Sequence, residues 1–230
     1  MKRRAFIAGI AAVVAFGGNA VAAAKTRVPD VIFQLPKGHK NQVAWTIDDG
    51  SSSSAIAAYV ALAKRNNLHL TFFVTSAFSG WRENANLLRP LVQSGQIQLA
   101  NHTKTHVDLT KVSDERVKAE LLECERFIKK VYGVDPKPYF RPPYGFYNDR
   151  VLRIAANLGY TKPVMWFGTL ADSGQTRPGR IAKHAKKWMV GGRIVIDHAN
   201  SSNTVQDFAE IVKLIQHRDL STVTLREVLD

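Results

Sequence analysis

Residues 42–64, QVAWTIDDGSSSSAIAAYVALAK, change character once, at Asp48-Asp49-Gly50, and that change decides the fold. Before it, 42–47 is a short apolar run that reads as a buried strand. After it, 54–64 is alanine-rich and repeats apolar side chains at helical spacing through Ile56, Val60 and Leu62. A strand that turns through glycine into a helix is one β/α unit.

The unit recurs outward along the chain. Strands are expected over 70–75 and 96–100, with a helix over 84–94 between them that stops at Gly95. Ser113 supplies an N-cap, Asp114 and Glu115 suit the positive helix start, and the helix runs to about Tyr132 before Gly133. Then follow a strand at Tyr139-Phe140, a helix over 149–158, a strand over 163–167, a helix over 180–189, a strand over 193–196, a helix over 205–217 and a strand or turn over 222–225. The stretch before 42, with Pro29, Pro36 and Gly38, reads as a polar connection. Alternation of this kind predicts a single α/β domain with a parallel sheet inside its helices, open or closed into a barrel. Ligands in such folds bind at the carboxyl ends of the strands.

Composition narrows the function classes. A chain of 230 residues with 45 % hydrophobic and 22 % charged content buries one sizeable core. The single cysteine, Cys124, excludes an internal disulfide and lies in a helical pattern as a small buried residue. Residues 1–24 differ in kind: Lys2, Arg3 and Arg4 precede an apolar run over 6–16 and a small-residue end at Ala22-Ala23-Ala24. This is the pattern of an export signal peptide, with 25–230 as the working domain and a mature start near Ala23 or Lys25. Gly17-Gly18-Asn19 breaks the run well short of the ~20 apolar residues a membrane anchor requires. Arg3-Arg4 also resembles a twin-arginine signal. The expected place is outside the cell or in its envelope, and the expected state is a monomer. The formal charge of +13 loses three positive charges with the signal and stays strongly basic, which favours anionic cell-wall polymers as partners. The basic residues are scattered with no nucleic-acid motif, so no nucleic-acid partner is expected.

Four polar clusters follow strands, where a functional group of this fold class belongs. Asp48-Asp49 are adjacent carboxylates that either cap the next helix or need a cation between them. His102 and His106, four apart, lie on the same side of any helical turn and suit a zinc-type ion or serve structure. With a strand-end aspartate they make a two-histidine, one-carboxylate set that leaves positions open for water and substrate. Arg141 precedes Pro142-Pro143-Tyr144-Gly145 and is suited to hold a carboxylate bidentately. His198 ends an apolar run with Ile194, Val195 and Ile196, and an imidazole there serves as an acid near neutral pH.

TIDDG at 46–50, HTKTH at 102–106, RPPYG at 141–145 and IVIDH at 194–198 resemble, in order and spacing, the first, second, third and fifth motifs of the polysaccharide deacetylases, the NodB-homology group of carbohydrate esterase family four. The likeness runs from about Val43 onward and includes LTFFV at 70–74 and NHTKTHVDLT at 101–110. It implies a distorted, incomplete (β/α) barrel and metal-dependent removal of acetyl groups from N-acetylated, or O-acetylated, sugars of glycans such as chitin oligomers or peptidoglycan. It assigns Asp49, His102 and His106 as ligands of one divalent metal, zinc first, with cobalt, manganese and nickel as fitting alternatives. Asp48 becomes the general base oriented by Arg141, and His198 the general acid tuned by Asp172. Tyr144 lends a backbone N–H to the oxyanion, and Ile196 meets the acetyl methyl. Three residues depart from the family pattern: Ile47 stands for phenylalanine, Ser51 for proline and Ser173 for the tryptophan after Asp172. The rival expectations are a glycan- or wall-binding module without catalysis and a metal-dependent hydrolase of another amide.

Overall fold

The computed structural model describes residues 27–172, 179–201 and 204–230. The proposed signal peptide and Ser173 therefore lie outside the described residues. The first unit forms as the sequence indicates: β1 (Gln42–Asp49) turns at Gly50 into α1 (Ser53–Asn66). The N-cap of α1 is Ser52, whose hydroxyl accepts from the Ala55 N–H at 3.2 Å, so the two aspartates are not spent on capping. There follow β2 (Leu70–Val74), α2 (Gly80–Glu83), α3 (Ala85–Gln93) and β3 (Ile97–Asn101). Next come α4 (Asp114–Tyr132), β4 (Tyr139–Phe140), α5 (Asp149–Asn157) and β5 (Lys162–Pro163). The chain ends with β6 (Gly168–Thr169), α6 (Arg180–Trp188), β7 (Ile194–His198), α7 (Phe208–His217), β8 (Ser221–Thr222) and α8 (Leu225–Leu229).

The strands run parallel in the order β5-β4-β3-β2-β1-β7-β6, with β8 paired to the start of β1. Side chains alternate between two cores, as strand pleat requires. Trp45, Ile47, Phe72, Val74, Leu99 and Val195 face the surrounding helices, while Ala44, Phe73, Ala100 and Ile194 face the interior of the curled sheet. The sheet thus curls into the distorted, incomplete (β/α) barrel, with its opening between β5 and β6.

Two segments complete the barrel, and neither stood out in the sequence as a structural part. The connection before β1 crosses the opening: the Ile32 N–H donates to Pro163 at 2.9 Å, the Met165 N–H to Ile32 at 2.7 Å, and the Leu35 N–H to Gly192 at 3.0 Å. The stretch expected as a final strand or turn over 222–225 holds the last residue of β8, Thr222, and then the N-cap Thr224 and first residue Leu225 of α8, which closes the floor. Thr224 and Glu227 form a reciprocal capping box there. Leu225 enters the interior core while its N–H donates to Thr71 Oγ1 at 3.1 Å and that of Arg226 to Gln98 Oε1 at 2.9 Å. Inward-facing polar residues on β2 and β3 are explained by those bonds, because a buried helix start carries unpaired N–H groups.

Three smaller expectations are also corrected. The helix expected over 84–94 starts earlier, at Gly80, and breaks at Asn84, whose side-chain amide donates to Ser53 and Gly80 carbonyls. Of the strand expected over 163–167 only Pro163 is in a strand, at the end of β5; Val164 bridges to Ile32, and the next strand, β6, starts at Gly168. The helix expected over 205–217 opens with a 3₁₀ turn over Thr204–Asp207.

Candidate active site

A pocket of about 350 Å³ opens at the carboxyl ends of the strands and is lined by Asp48, Asp49, His102, His106, Tyr144, Trp166, Ile196, His198 and Asn200, among others. Asp48 and His198 sit opposite each other in register on the neighbouring strands β1 and β7. That adjacency follows from the parallel sheet and was invisible in a separation of 150 residues.

Asp49 leaves β1 with a left-handed backbone, φ 74°, which the adjoining Gly50 continues at φ 98°. A side chain on Gly50 would run into the Trp81 indole at 2.3 Å, so glycine alone fits. Trp81 Nε1 donates to the Asp49 carbonyl at 2.8 Å, and Asn200 Nδ2 donates to Asp49 Oδ2 at 2.6 Å. The other oxygen, Oδ1, is buried and has no hydrogen-bond partner among the described residues. His106 Nε2 stands 3.1 Å from it and His102 Nε2 3.4 Å. Each of the three residues offers a ligand atom within 4.8 Å of the others.

The two histidines converge by a route the sequence did not indicate. Residues 102–106 form an irregular loop, not a helical turn, and Thr103 and His106 both have positive φ, 72° and 60°. Side-chain bonds hold this loop. Asn101 accepts from the Thr103 N–H at 2.8 Å, Thr103 Oγ1 from the His106 N–H at 3.1 Å, and buried Glu120 from the Thr105 N–H at 2.7 Å. His102 Nδ1 pairs with the Arg141 carbonyl at 2.7 Å, which turns Nε2 toward the aspartates.

Arg141 is fully buried, and its contact with Asp48 is a single 2.5 Å bond to Oδ1, where a bidentate pair was expected. The rest of the guanidinium donates to the carbonyls of Val164 at 2.9 Å and Met165 at 3.0 Å and lies 4.0 Å over the Phe73 ring. One Asp48 oxygen is thus fixed, while the other points toward His102 Nε2 at 3.6 Å.

Opposite, Asp172 grips His198 twice, accepting from its backbone N–H at 2.7 Å and meeting Nδ1 at 2.8 Å. Burial opposes charge on His198, but the hydrogen bond and charge of Asp172, with Asp48 and Asp49 behind it, raise its pKa to about 9. Asp197 faces the other way and accepts from Trp45 Nε1 at 3.2 Å, Thr204 Oγ1 at 3.1 Å and the Tyr59 hydroxyl. Burial, then the charge of Asp172, pushes Asp197 well above the carboxylate range.

At the ligand cluster, burial alone would raise Asp49, yet the approach of His102 and the charges of His106 and His198 win and hold it well below the usual carboxylate value. His102 is lowered by burial but raised further by Asp48 and Asp49, whereas burial and the charge of His102 keep His106 low. Two nitrogens and a buried carboxylate oxygen with no hydrogen-bond donor among the described residues are the set a borderline divalent cation takes. The residues fit one such ion.

Every expected site residue therefore lines one pocket or touches one that does. Trp166 forms a wall of that pocket, and a side chain on Gly145 would approach it within 3.0 Å. Sequence reading missed Trp81, Asn200, Asn101 and Glu120, which hold the ligands' backbone and carboxylate. Asn200, two residues past His198, and Asn101, next to His102, had a positional signal; Trp81 and Glu120 act across the fold and had none. Cys124 is buried, with its thiol pushed up to about 12 by burial, as its helical setting implied.

The family model for polysaccharide deacetylase matches residues 36–163. A peptidoglycan-N-acetylglucosamine deacetylase from Bacillus cereus is 29 % identical over 206 residues, spanning 86 % of this chain and 92 % of that protein. The chitin deacetylase structure from Colletotrichum lindemuthianum superposes with a TM-score of 0.78 at 21 % identity, covering 88 % of this chain and 92 % of that one. A family four pseudoenzyme from Bacillus anthracis superposes with a TM-score of 0.75 at 23 % identity, covering 88 % and 69 %. These likenesses place the architecture, and the family match over more than half of the sequence places the lineage: the chain belongs to the polysaccharide deacetylase family.

Proposed function

We propose that this protein is an exported hydrolase that removes acetyl groups from N-acetylated sugars of a polysaccharide or its oligomers, peptidoglycan or chitin being the substrate class. The observation that carries the reading is the partnerless buried oxygen of Asp49 facing two imidazole nitrogens, with Asp48 on one side of the same pocket and His198 on the other. Asp49, His102 and His106 would hold a divalent ion, zinc being the first fit to two imidazoles and a carboxylate, and the ion would supply Lewis acidity toward water and a carbonyl.

The chain's own residues do the rest. Asp48, fixed at one oxygen by Arg141, takes the proton of the attacking water with the other. The Tyr144 N–H supports the carbonyl oxygen as it gains charge, and Ile196 packs against the acetyl methyl. His198, kept as the imidazolium through neutral pH by Asp172, gives its proton to the departing sugar amine. Acetate and a free amine are the products. The chain stays strongly basic after Lys2, Arg3 and Arg4 leave with segment 1–24, which supports retention at an anionic wall polymer, and that segment supports export ahead of it.

The pseudoenzyme relative makes a binding module the second reading, and the intact Asp48, Arg141, Asp172 and His198 geometry favours activity over it. Acetate release from acetylated chitin oligomers, peptidoglycan and acetylated xylan, measured on metal-loaded protein, decides between them. Release from at least one glycan is expected. Glycan binding without release would leave the binding module, and release only from small amides would move the activity to another substrate class.

A further inference from the structure

Two hollows open past the carboxyl ends of β2 and β3 and share one wall. The segments 75–78 and 102–106 form it, tied by the Ser76 N–H to the Thr103 carbonyl at 3.2 Å and the Ala77 N–H to the Lys104 carbonyl at 2.8 Å. On one side Phe78, His102 and His106 line the active-site pocket. On the other, Ser76 and Lys104 line a cleft of about 370 Å³ that continues between α2 and α4. The reaction proposed above makes no use of this cleft.

Its charge is one-sided. Arg82 from α2, Lys104 from the shared rim, and Arg126 and Lys130 from α4 line it against a single carboxylate, Glu123. Lys104 pairs with Glu123, and Arg126 stands 4.0 Å from the same carboxylate. The hydrogen bond from Lys104 and the charges of Lys104, Arg126 and Arg116 outweigh desolvation and hold Glu123 below the usual carboxylate range. That one anion is therefore ionised and already shared, which leaves Arg82 and Lys130 without a carboxylate partner among the described residues. Elsewhere on α4 the cations are matched, Lys129 by Glu125 at 2.6 Å and Arg116 by Glu120 at 2.7 Å. Arg126 and Lys130 lie four residues apart on one helix face, a spacing at which like charges disfavour the helix. Arg82 is also held in place, its guanidinium 4.8 Å over the ring of buried Phe127. Positioned cations in excess, beside a catalytic pocket, make a receptor for an oxyanion.

We propose that this cleft receives carboxylates of the glycan whose acetylated sugar occupies the pocket, so that the site favours a chain bearing carboxyl groups over a neutral one. The proposal rests on the glycan reading above and deepens it by separating its two substrate classes. Peptidoglycan carries carboxylates on its lactyl and peptide branches, whereas chitin is uncharged. A branch next to the reacting sugar crosses only the shared rim to reach Lys104, Arg82 and the α4 pair. The Arg82 fork suits bidentate pairing with a carboxylate, and the lysines add point charge. These contacts are remote from the reacting carbonyl and are made equally before and during reaction, so they lower KM and leave kcat unchanged.

The test measures acetate release by metal-loaded protein from soluble peptidoglycan fragments, from the same fragments with their carboxyl groups amidated, and from the chitin tetramer. Wild type should show a KM about tenfold lower on untreated than on amidated fragments, and the gap should shrink as salt rises. Arg126→Gln with Lys130→Gln should raise KM on untreated fragments about fivefold, the order of one or two exposed ion pairs. The same pair should keep kcat, and the chitin tetramer, within about twofold. Arg126→Lys with Lys130→Arg should retain the preference. Lys64→Gln with Arg65→Gln removes as much charge from the last turn of α1, at the other end of the barrel, and should retain it too. Equal KM on untreated and amidated fragments overturns the subsite, as does a loss that is equal on all three substrates or is matched by the α1 pair. If wild type releases no acetate from any of them, the deacetylase reading fails and calorimetry with the same fragments decides the cleft by itself. Binding that both amidation and the Arg126, Lys130 pair weaken keeps it; binding that either leaves unchanged removes it.

Discussion

At the carboxyl ends of the strands left-handed backbone and charged side chains gather, whereas at the amino ends the interior is closed by a largely apolar core in which Thr71 and Gln98 serve only the start of α8. Among the described residues seven non-glycine residues have positive φ, and five of them, Asp49, Thr103, His106, Tyr144 and Ala171, stand at the mouth. Each costs on the order of 1 kcal/mol or more and persists only where its surroundings force it. The floor contains Leu35, Ile194, Val223 and Leu225 in one core with α8 capped beneath them. One barrel thus places stability at one end and chemistry at the other, and changes at the two ends should register in different measurements.

The largest effects should come from the mouth. Asp48→Asn should keep its metal, read by elemental analysis, and lose turnover by roughly 10² to 10⁴, the ordinary worth of a general base. Asp49→Asn should lose metal affinity as well as rate, and excess metal should restore part of the rate. Swapped outcomes would reverse the assignment, and ordinary rates in two metal-replete variants would end the proposed mechanism.

The floor should answer in stability alone. Leu225→Ala removes a fully buried side chain from the interior core and should cost about 2 to 5 kcal/mol in denaturant unfolding. The kcat of the remaining folded protein should stay near wild type. A collapse of kcat with unchanged stability would mean that the two ends are not separate.

A smaller effect tests the Asp172–His198 pair through pH. The folded pKa of His198, about 9, lies above the roughly 6.5 of an unfolded imidazole. The pair's contribution to stability in metal-free protein is therefore fully present below pH ~6.5 and disappears as pH rises through the folded value. Asp172→Asn should lower the melting temperature most at pH 6, converge with wild type in alkali, and move the alkaline limb of the rate profile to lower pH. A parallel melting difference at every pH would remove the charge from the account.

The smallest effect is local strain. Ala171, φ 56°, precedes Asp172, and Ala171→Gly should relieve its left-handed backbone, for a gain of up to about 1 kcal/mol in thermal unfolding. The added freedom next to Asp172 should slightly lower kcat. A loss of stability would show that the site does not strain this residue.

The alternation of strands and helices was legible in the sequence because it depends on period and punctuation, which are local. The gathering of Asp48, Asp49, His102, Arg141 and His198 was legible too, since each lies at or just past the carboxyl end of a strand and so faces one pocket, directly or, for Arg141, through Asp48. The shape of the 102–106 loop did not follow from the spacing of its histidines, because Glu120 on α4 holds it from a distance while Asn101 ties the Thr103 N–H next to it. The capping box at Thr224 and Glu227 offered a local signal for α8, but not for its place beneath the barrel. Sequence by itself thus determined the parallel β/α plan, the motif residues and the basic charge, all of which follow from neighbours along the chain. Only the tertiary structure decided that 32–35 bridges the barrel's opening, that Trp81 and Asn200 hold Asp49, and that one of its carboxylate oxygens is buried without a hydrogen-bond donor among the described residues. Those facts depend on contacts between strands and helices far apart in sequence, where the backbone's path, and not residue type, sets which groups meet.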